Sequence, residues 1–184
     1  HLNVLSPSKA RKDTLAYIYA NNNQHMQALN TIGIDKSESD SDLSVQVKAI
    51  SLKAINQPKR ALEQFVILNK RTPSAYLAYE IADLKIQTGD NAGAITNIEY
   101  GIANAQDDMK YAFYERQQPY EASLKAAFIH LKALAIYNQD KTKIDEAISL
   151  IDEAIKIDPN FNLAGLSKQA LTSRKAQPES EKQE

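Results

Sequence analysis

Three pairs of alanines constrain this chain more than any other feature. Ala16 and Ala28, Ala49 and Ala61, and Ala82 and Ala94 each stand twelve residues apart, and the pairs succeed one another at intervals of 33 and 33. Four residues beyond the second alanine comes a larger apolar side chain, Ile32, Phe65 and Ile98 in turn. The stretch "DEAISLIDEAIKIDPNF" (145–161) repeats this second half, with Ala147, Ile151, Ala154 and Ile155 on one stripe of a helix. A stripe of methyl groups lets a second helix approach to the short end of the usual packing distance. Pro159 cannot continue that helix and drives Asp158 out of the helical region, while Pro159 itself suits the first turn of a following helix. One helix pair cannot bury its own apolar face, so a recurring pair implies a stack of pairs.

Aligned on these alanines, "LAYIYANNNQHMQAL" (15–29), "KAISLKAINQPKRAL" (48–62) and "IADLKIQTGDNAGAI" (81–95) share one pattern, and Ala133 with Ala147 supplies a fourth pair at a spacing of fourteen. With "QTGDNAGAI" and "KIDEAISLIDEAIKIDPN" nearest to its consensus, the chain resembles the tetratricopeptide repeat (TPR) family, whose unit of about 34 residues is two antiparallel helices packed through small residues. The resemblance implies an all-α fold: an α-solenoid of about four TPR-like antiparallel helix pairs plus a C-terminal capping helix. It places repeats at about 9–41, 42–74, 75–107 and 126–161, with an insert at about 108–125 and the capping helix at 162–175. Residues 1–8 are then an N-terminal extension, and the polar "AQPESEKQE" (176–184) is expected to be disordered. At 184 residues the whole is expected to be a single domain.

Departures from the repeat carry their own expectations. "TIGIDKSESDSD" (31–42) contains Gly33 and a Ser/Asp cluster, which predicts a short second helix followed by a loop. "NQDKTK" (138–143) absorbs the two extra residues of the fourth pair as a longer turn. Between repeats three and four, "MKYAFYERQQPYEASL" (109–124) places Tyr111, Phe113, Tyr114 and Tyr120 within ten residues, too much aromatic surface for a plain linker. This insert either folds back over one end of the groove or lengthens the helices beside it, and Phe113 and Tyr114 serve as structural filling or as a partner contact. In "NFNLAGLSKQALTSRKA" (160–176), Phe161, Leu163, Leu166 and Ala170 are expected to face inward, and Ser167, Lys168, Gln169, Arg174 and Lys175 outward.

The chain lacks the ingredients of several chemistries. It has no cysteine, which removes disulfides, thiolate metal sites and cysteine nucleophiles. Its histidines, at 1, 25 and 130, have no second plausible ligand at helical spacing, so no metal is expected. No G-x-S-x-G, G-x-G-x-x-G or P-loop pattern occurs, and the acidic "SESDSD" lacks the glycine turn and closing glutamate of an EF-hand, which leaves a solvated loop. Neither an enzymatic activity nor a cofactor is expected. Twenty-two Lys and Arg against 23 Asp and Glu leave a net charge of −1, which offers no general field for nucleic acid. No apolar run of membrane-spanning length occurs, so no direct membrane insertion is expected.

Binding by surface remains. In TPR proteins the first helices of successive pairs line a concave groove that commonly holds a peptide. Carried onto this chain, the resemblance places Asp13, Tyr17 and Asn21 there from the first repeat, Gln46, Ile50 and Lys53 from the second, Tyr76, Tyr79, Asp83 and Gln87 from the third, and His130, Leu134 and Tyr137 from the fourth. Tyrosine offers apolar area with a polar tip and is frequent at interface hot spots. The family's carboxylate clamp for chaperone C-terminal tails would fall on Asp13, Tyr17, Val47, Tyr76 and Glu80, none of them basic, so that partner is excluded. The expected function is a non-catalytic protein-protein interaction module, a scaffold or adaptor holding a partner peptide or protein segment. The alternative is a structural subunit of a larger envelope or membrane-associated assembly that uses convex and terminal surfaces. A first residue other than Met, the lack of cysteine and a surface rich in Asn, Gln and Ser favour an exported or periplasmic location over a cytoplasmic one.

Overall fold

The computed structural model describes residues 8–115 and 118–177, and within them the chain is helical apart from one hairpin. The expected tail at 176–184 lies outside the described residues from 178 onward; Ala176 still belongs to the last helix. The chain divides into two compact units, His1–Thr88 and Gly89–Glu184, and the division falls inside the third expected repeat.

The first unit contains α1 (Lys9–Asn21), α2 (His25–Ile32), α3 (Asp42–Ala54), α4 (Pro58–Arg71) and α5 (Ala75–Gln87). Each helix packs on the next, and α1 also packs on α3. The starts follow from sequence: Ser8, Ser41 and Ser74 accept backbone N–H bonds as N-caps, and Pro58 sits in the first turn of α4. Asn23 and Asn56, in the left-handed region at φ 58° and 59°, turn the chain between the helices of the first two pairs. Ala16, Ala28, Ala49, Ala61 and Ala82 are all fully buried, as the twelve-residue pairing requires. Around them Leu29, Leu52, Phe65, Ile81 and Leu84 form the core of α2 to α5.

As expected, α2 is short and a loop follows it. The loop is less solvated than its acidity suggests, because Asp40 is buried and takes 2.6 Å and 3.0 Å ion pairs from Lys48 and Lys9. Burial pushes the Asp40 carboxyl up, but the bonds and charges of Lys48 and Lys9 outweigh it and hold it below its ordinary value. Lys48 also donates to the Asp35 carbonyl at 2.8 Å, and Ser41 Oγ donates to Asp13 at 2.6 Å, so the loop is fastened to α1 and α3.

The second unit contains α6 (Asn91–Asn104), the strands β1 (Lys110–Glu115) and β2 (Gln118–Ser123), α7 (Leu124–Gln139), α8 (Ile144–Ile157) and α9 (Asn162–Ala176). A single 3-10 turn at Lys141–Lys143 accommodates the two extra residues of this pair. Ala94, Ala133, Ala147 and Ala154 are fully buried. The small-residue logic extends to a position the alanine pattern does not mark: a Cβ on Gly101 would stand 2.1 Å from Cζ of Phe128, so only glycine admits that ring between α6 and α7.

The insert neither lengthens helices nor forms a plain linker. It is an antiparallel hairpin in which Phe113 pairs with Tyr120 and Tyr111 with Ala122. Aromatic residues at alternate positions suit a pleated surface with one face covered. Two other expectations are corrected. Pro159 lies in the turn before α9 instead of in its first helical turn, since α9 begins at Asn162. Phe161, just before α9, faces inward as expected, but on the helix it is Ala164 and Leu171 that are buried, while Leu163 is half-buried, Leu166 and Ala170 are exposed, and Ser167, expected outward, is half-buried.

Candidate functional site

In the first unit, α1, α3 and α5 are the helices that the resemblance assigns to a groove. Tyr17, Ile50 and Tyr76, one from each, are 42%, 45% and 42% exposed. Asn21 and Gln87 are exposed as well, and Lys53 and Asp83 are half-buried. On α3, Gln46, Ile50 and Lys53 recur at helical spacing; on α5, Tyr76, Glu80, Asp83 and Gln87 do so. Lys53 Nζ meets Glu80 Oε2 at 2.5 Å, which sets the stripes of α3 and α5 side by side. Gln87 Nε2 donates to Asp83 Oδ2 at 2.9 Å one turn further on. Burial, with Glu80 adding to it, raises the Asp83 carboxyl above its ordinary value, and Lys53 and Gln87 only partly offset this.

Tyr79 does not belong to the exposed set; at 3% exposure it is part of the core, as is Asp13, whose carboxylate serves Ser41. A side chain four residues after Ala75 and three before Ala82, both buried, falls on the packed side of α5, which outweighs the polar tip of its ring.

Of the three α7 residues expected in the groove, His130 and Tyr137 are buried and Leu134 is half-buried. His130 is 1% exposed, with Nε2 2.8 Å from Ser167 Oγ on α9 and its ring edge-on to Phe161 at 5.3 Å. Its Nδ1 has no hydrogen-bond partner among the described residues. An orphaned lone pair costs less than an orphaned N–H, so the proton belongs on Nε2, donated to Ser167. Burial lowers its pKa to about 4. Tyr137, 8% exposed, is covered by Lys141 Nζ 4.1 Å from its ring centroid, and Arg174 Nη1 stands 3.5 Å from its hydroxyl.

Phe113 of the insert is buried against Tyr111, Tyr120 and Phe161, at ring-centroid distances of 5.0, 5.6 and 5.0 Å. It fills the interior and offers no surface to a partner. Tyr114 lends its backbone to β1, and its side chain lies outside the described residues. The hairpin is fastened at two points: Tyr120 Oη accepts from Leu163 N at 3.1 Å, and Ser123 N donates to the buried Asp158 at 2.7 Å. Leu163 N is one of the free donors in the first turn of α9, so a hairpin tyrosine does the work of a cap that Phe161 cannot do.

An open cleft of about 1060 Å³ lies between β2 and the α8–α9 turn, walled by Pro119, Tyr120, Ile155, Pro159, Phe161 and Leu166. Its lining contains no Asp, Glu, His, Lys or Arg. Among the described residues, no three His, Asp or Glu side chains converge to hold a metal, and no helix is long and apolar enough to cross a membrane.

Comparison with solved structures gives two close matches in fold. One is YrrB, described as a TPR protein with an unusual peptide-binding site, at 12% identity and a TM-score of 0.61 over 91% of this chain and 78% of that one. The other is the MamA RS-1 ArsTM double mutant, at 16% identity and a TM-score of 0.65 over 91% of this chain and 85% of that one. No family model and no curated protein sequence matches the chain. The chain has a TPR-like, helical-repeat fold.

Proposed function

We propose that this chain is a non-catalytic interaction module that holds a segment of a partner protein against the face formed by α1, α3 and α5. The observation that carries the reading is the exposure of Tyr17, Ile50 and Tyr76 on three helices of one unit, on two of which Val45, Val47, Leu52, Tyr79, Ile81 and Leu84 are buried. Large side chains left in water on three helices of one unit, beside the polar groups of Lys53, Asp83 and Gln87, have the composition of an interface: apolar anchors with a polar rim. The fold supports it in kind, since YrrB, which shares it, is described as having a peptide-binding site.

A photo-cross-linking residue placed at position 50, 76 or 66 tests the reading in extract of the native host. Val66 is the control, exposed on the second helix of its pair. Adducts at 50 and 76 and none at 66 are expected. Adducts at 66 alone would overturn the reading.

The second reading, a structural subunit that assembles through convex and terminal surfaces, is favoured by exposed Leu166 at the rim of the cleft on the last helix. It expects cross-links from position 166 to another subunit and none from position 50.

A further inference from the structure

We propose that the segment held on the α1–α3–α5 face carries a lysine or arginine beside an aliphatic or aromatic residue, and that its cation seats against Asp83. This rests on the binding face proposed above and names the chemistry of its partner.

The geometry of α5 is the starting point. Tyr76 and Asp83 are two turns apart on one stripe, and Ile50 lies on α3, which the Lys53–Glu80 pair holds alongside. Asp83 Oδ2 accepts from Gln87, while Oδ1 has no hydrogen-bond donor among the described residues. The cation whose charge reaches Asp83 from within the chain is Lys53, and Lys53 is engaged at 2.5 Å by Glu80. Asp83 is therefore a half-buried carboxylate with an open oxygen, which is the arrangement a charged donor completes. Burial is the main cause of its raised pKa, with Glu80 adding to it, and Lys53 and Gln87 only partly offset this.

The neighbours of Asp83 select the donor. A lysine or arginine lays an apolar stem along hydrophobic surface while its head reaches a carboxylate. Ile50 and Tyr76 are exposed, Tyr76 two turns N-terminal to Asp83 on its stripe, and supply apolar surface for the residues that flank the cation in the partner. An aliphatic or aromatic neighbour in the partner would cover what remains exposed of Tyr17 and Ile50. A partner bearing carboxylates would instead bring like charge to Asp83 and Glu80. The neutral cleft of the second unit has no comparable group to choose an occupant by charge.

The test is selection of random short peptides on the intact chain, followed by affinities for Asp83→Asn, Tyr76→Ala and, as a charge control on an exposed helix surface, Glu99→Gln. Asp83→Asn is nearly isosteric and keeps an oxygen for Gln87, and an unchanged melting temperature shows that it folds. Selected peptides are expected to carry Lys or Arg next to an apolar residue. They should weaken about tenfold or more with Asp83→Asn, and hardly at all with Glu99→Gln. Replacing the peptide's cation by glutamine should cost affinity on the intact chain and nothing on Asp83→Asn. Peptides that lose binding with Tyr76→Ala but ignore Asp83→Asn would overturn the cation and leave the face standing. Peptides that ignore both, or a selection that yields none, would overturn both.

Discussion

Phe161→Ala is expected to destabilise the chain by about 3–5 kcal/mol, the range for deleting a buried aromatic ring where the surroundings relax only in part. Phe161 is fully enclosed, with Phe113 of the hairpin at 5.0 Å and His130 of α7 at 5.3 Å, and it precedes α9 directly. Its ring is where β1, α7 and α9 meet, so no single helix can shift to fill the void. Urea unfolding followed by far-ultraviolet circular dichroism measures the effect. Because the chain has two compact units, the loss should appear as an earlier transition for part of the helical signal. A change under about 1 kcal/mol would mean that the hairpin and α9 do not depend on this junction.

His130 makes the second unit sensitive to acid. Its folded pKa, about 4, lies below the 6.5 of an unperturbed histidine, so between those values the unfolded chain binds a proton that the folded one refuses. Stability is therefore unaffected by this group above pH 6.5, falls as the pH drops from 6.5 to 4, and levels off below. The full penalty is about 3 kcal/mol. Asp83, with its raised pKa, acts in the opposite direction in acid, since the folded form takes up its proton first. Comparing the pH slope of the intact chain with that of His130→Leu isolates the histidine, whatever the substitution does to stability at neutral pH. Equal slopes in the two proteins would contradict the buried, neutral His130.

The alanine pairs were the legible part of the fold, because a methyl group at a helix crossing is a geometric requirement that neighbouring side chains cannot supply. The same requirement at Gly101 has no local signal, since its partner Phe128 lies on the far side of the insert in sequence. The hairpin has a readable signal in the alternation of Tyr111 and Phe113 and of Tyr120 and Ala122, although Tyr114 beside Phe113 breaks that period and makes the segment read as aromatic bulk. Among the candidate site residues, register decided the outcome. Tyr17, Ile50 and Tyr76 lie on the outward side of their helices, whereas Tyr79, His130 and Tyr137 fall on sides covered by packing. The burial of His130 depends on Ser167 and Phe161, more than thirty residues away, and no local pattern around position 130 announces them.

The most direct measurement is affinity capture from extract of the native host with the intact chain beside a Tyr17→Ala/Tyr76→Ala variant of unchanged melting temperature. Both residues are exposed, so the variant should fold as the intact chain does. A partner retained by the intact chain and lost by the variant is the predicted result. A partner retained equally by both would contradict recognition on the α1–α3–α5 face.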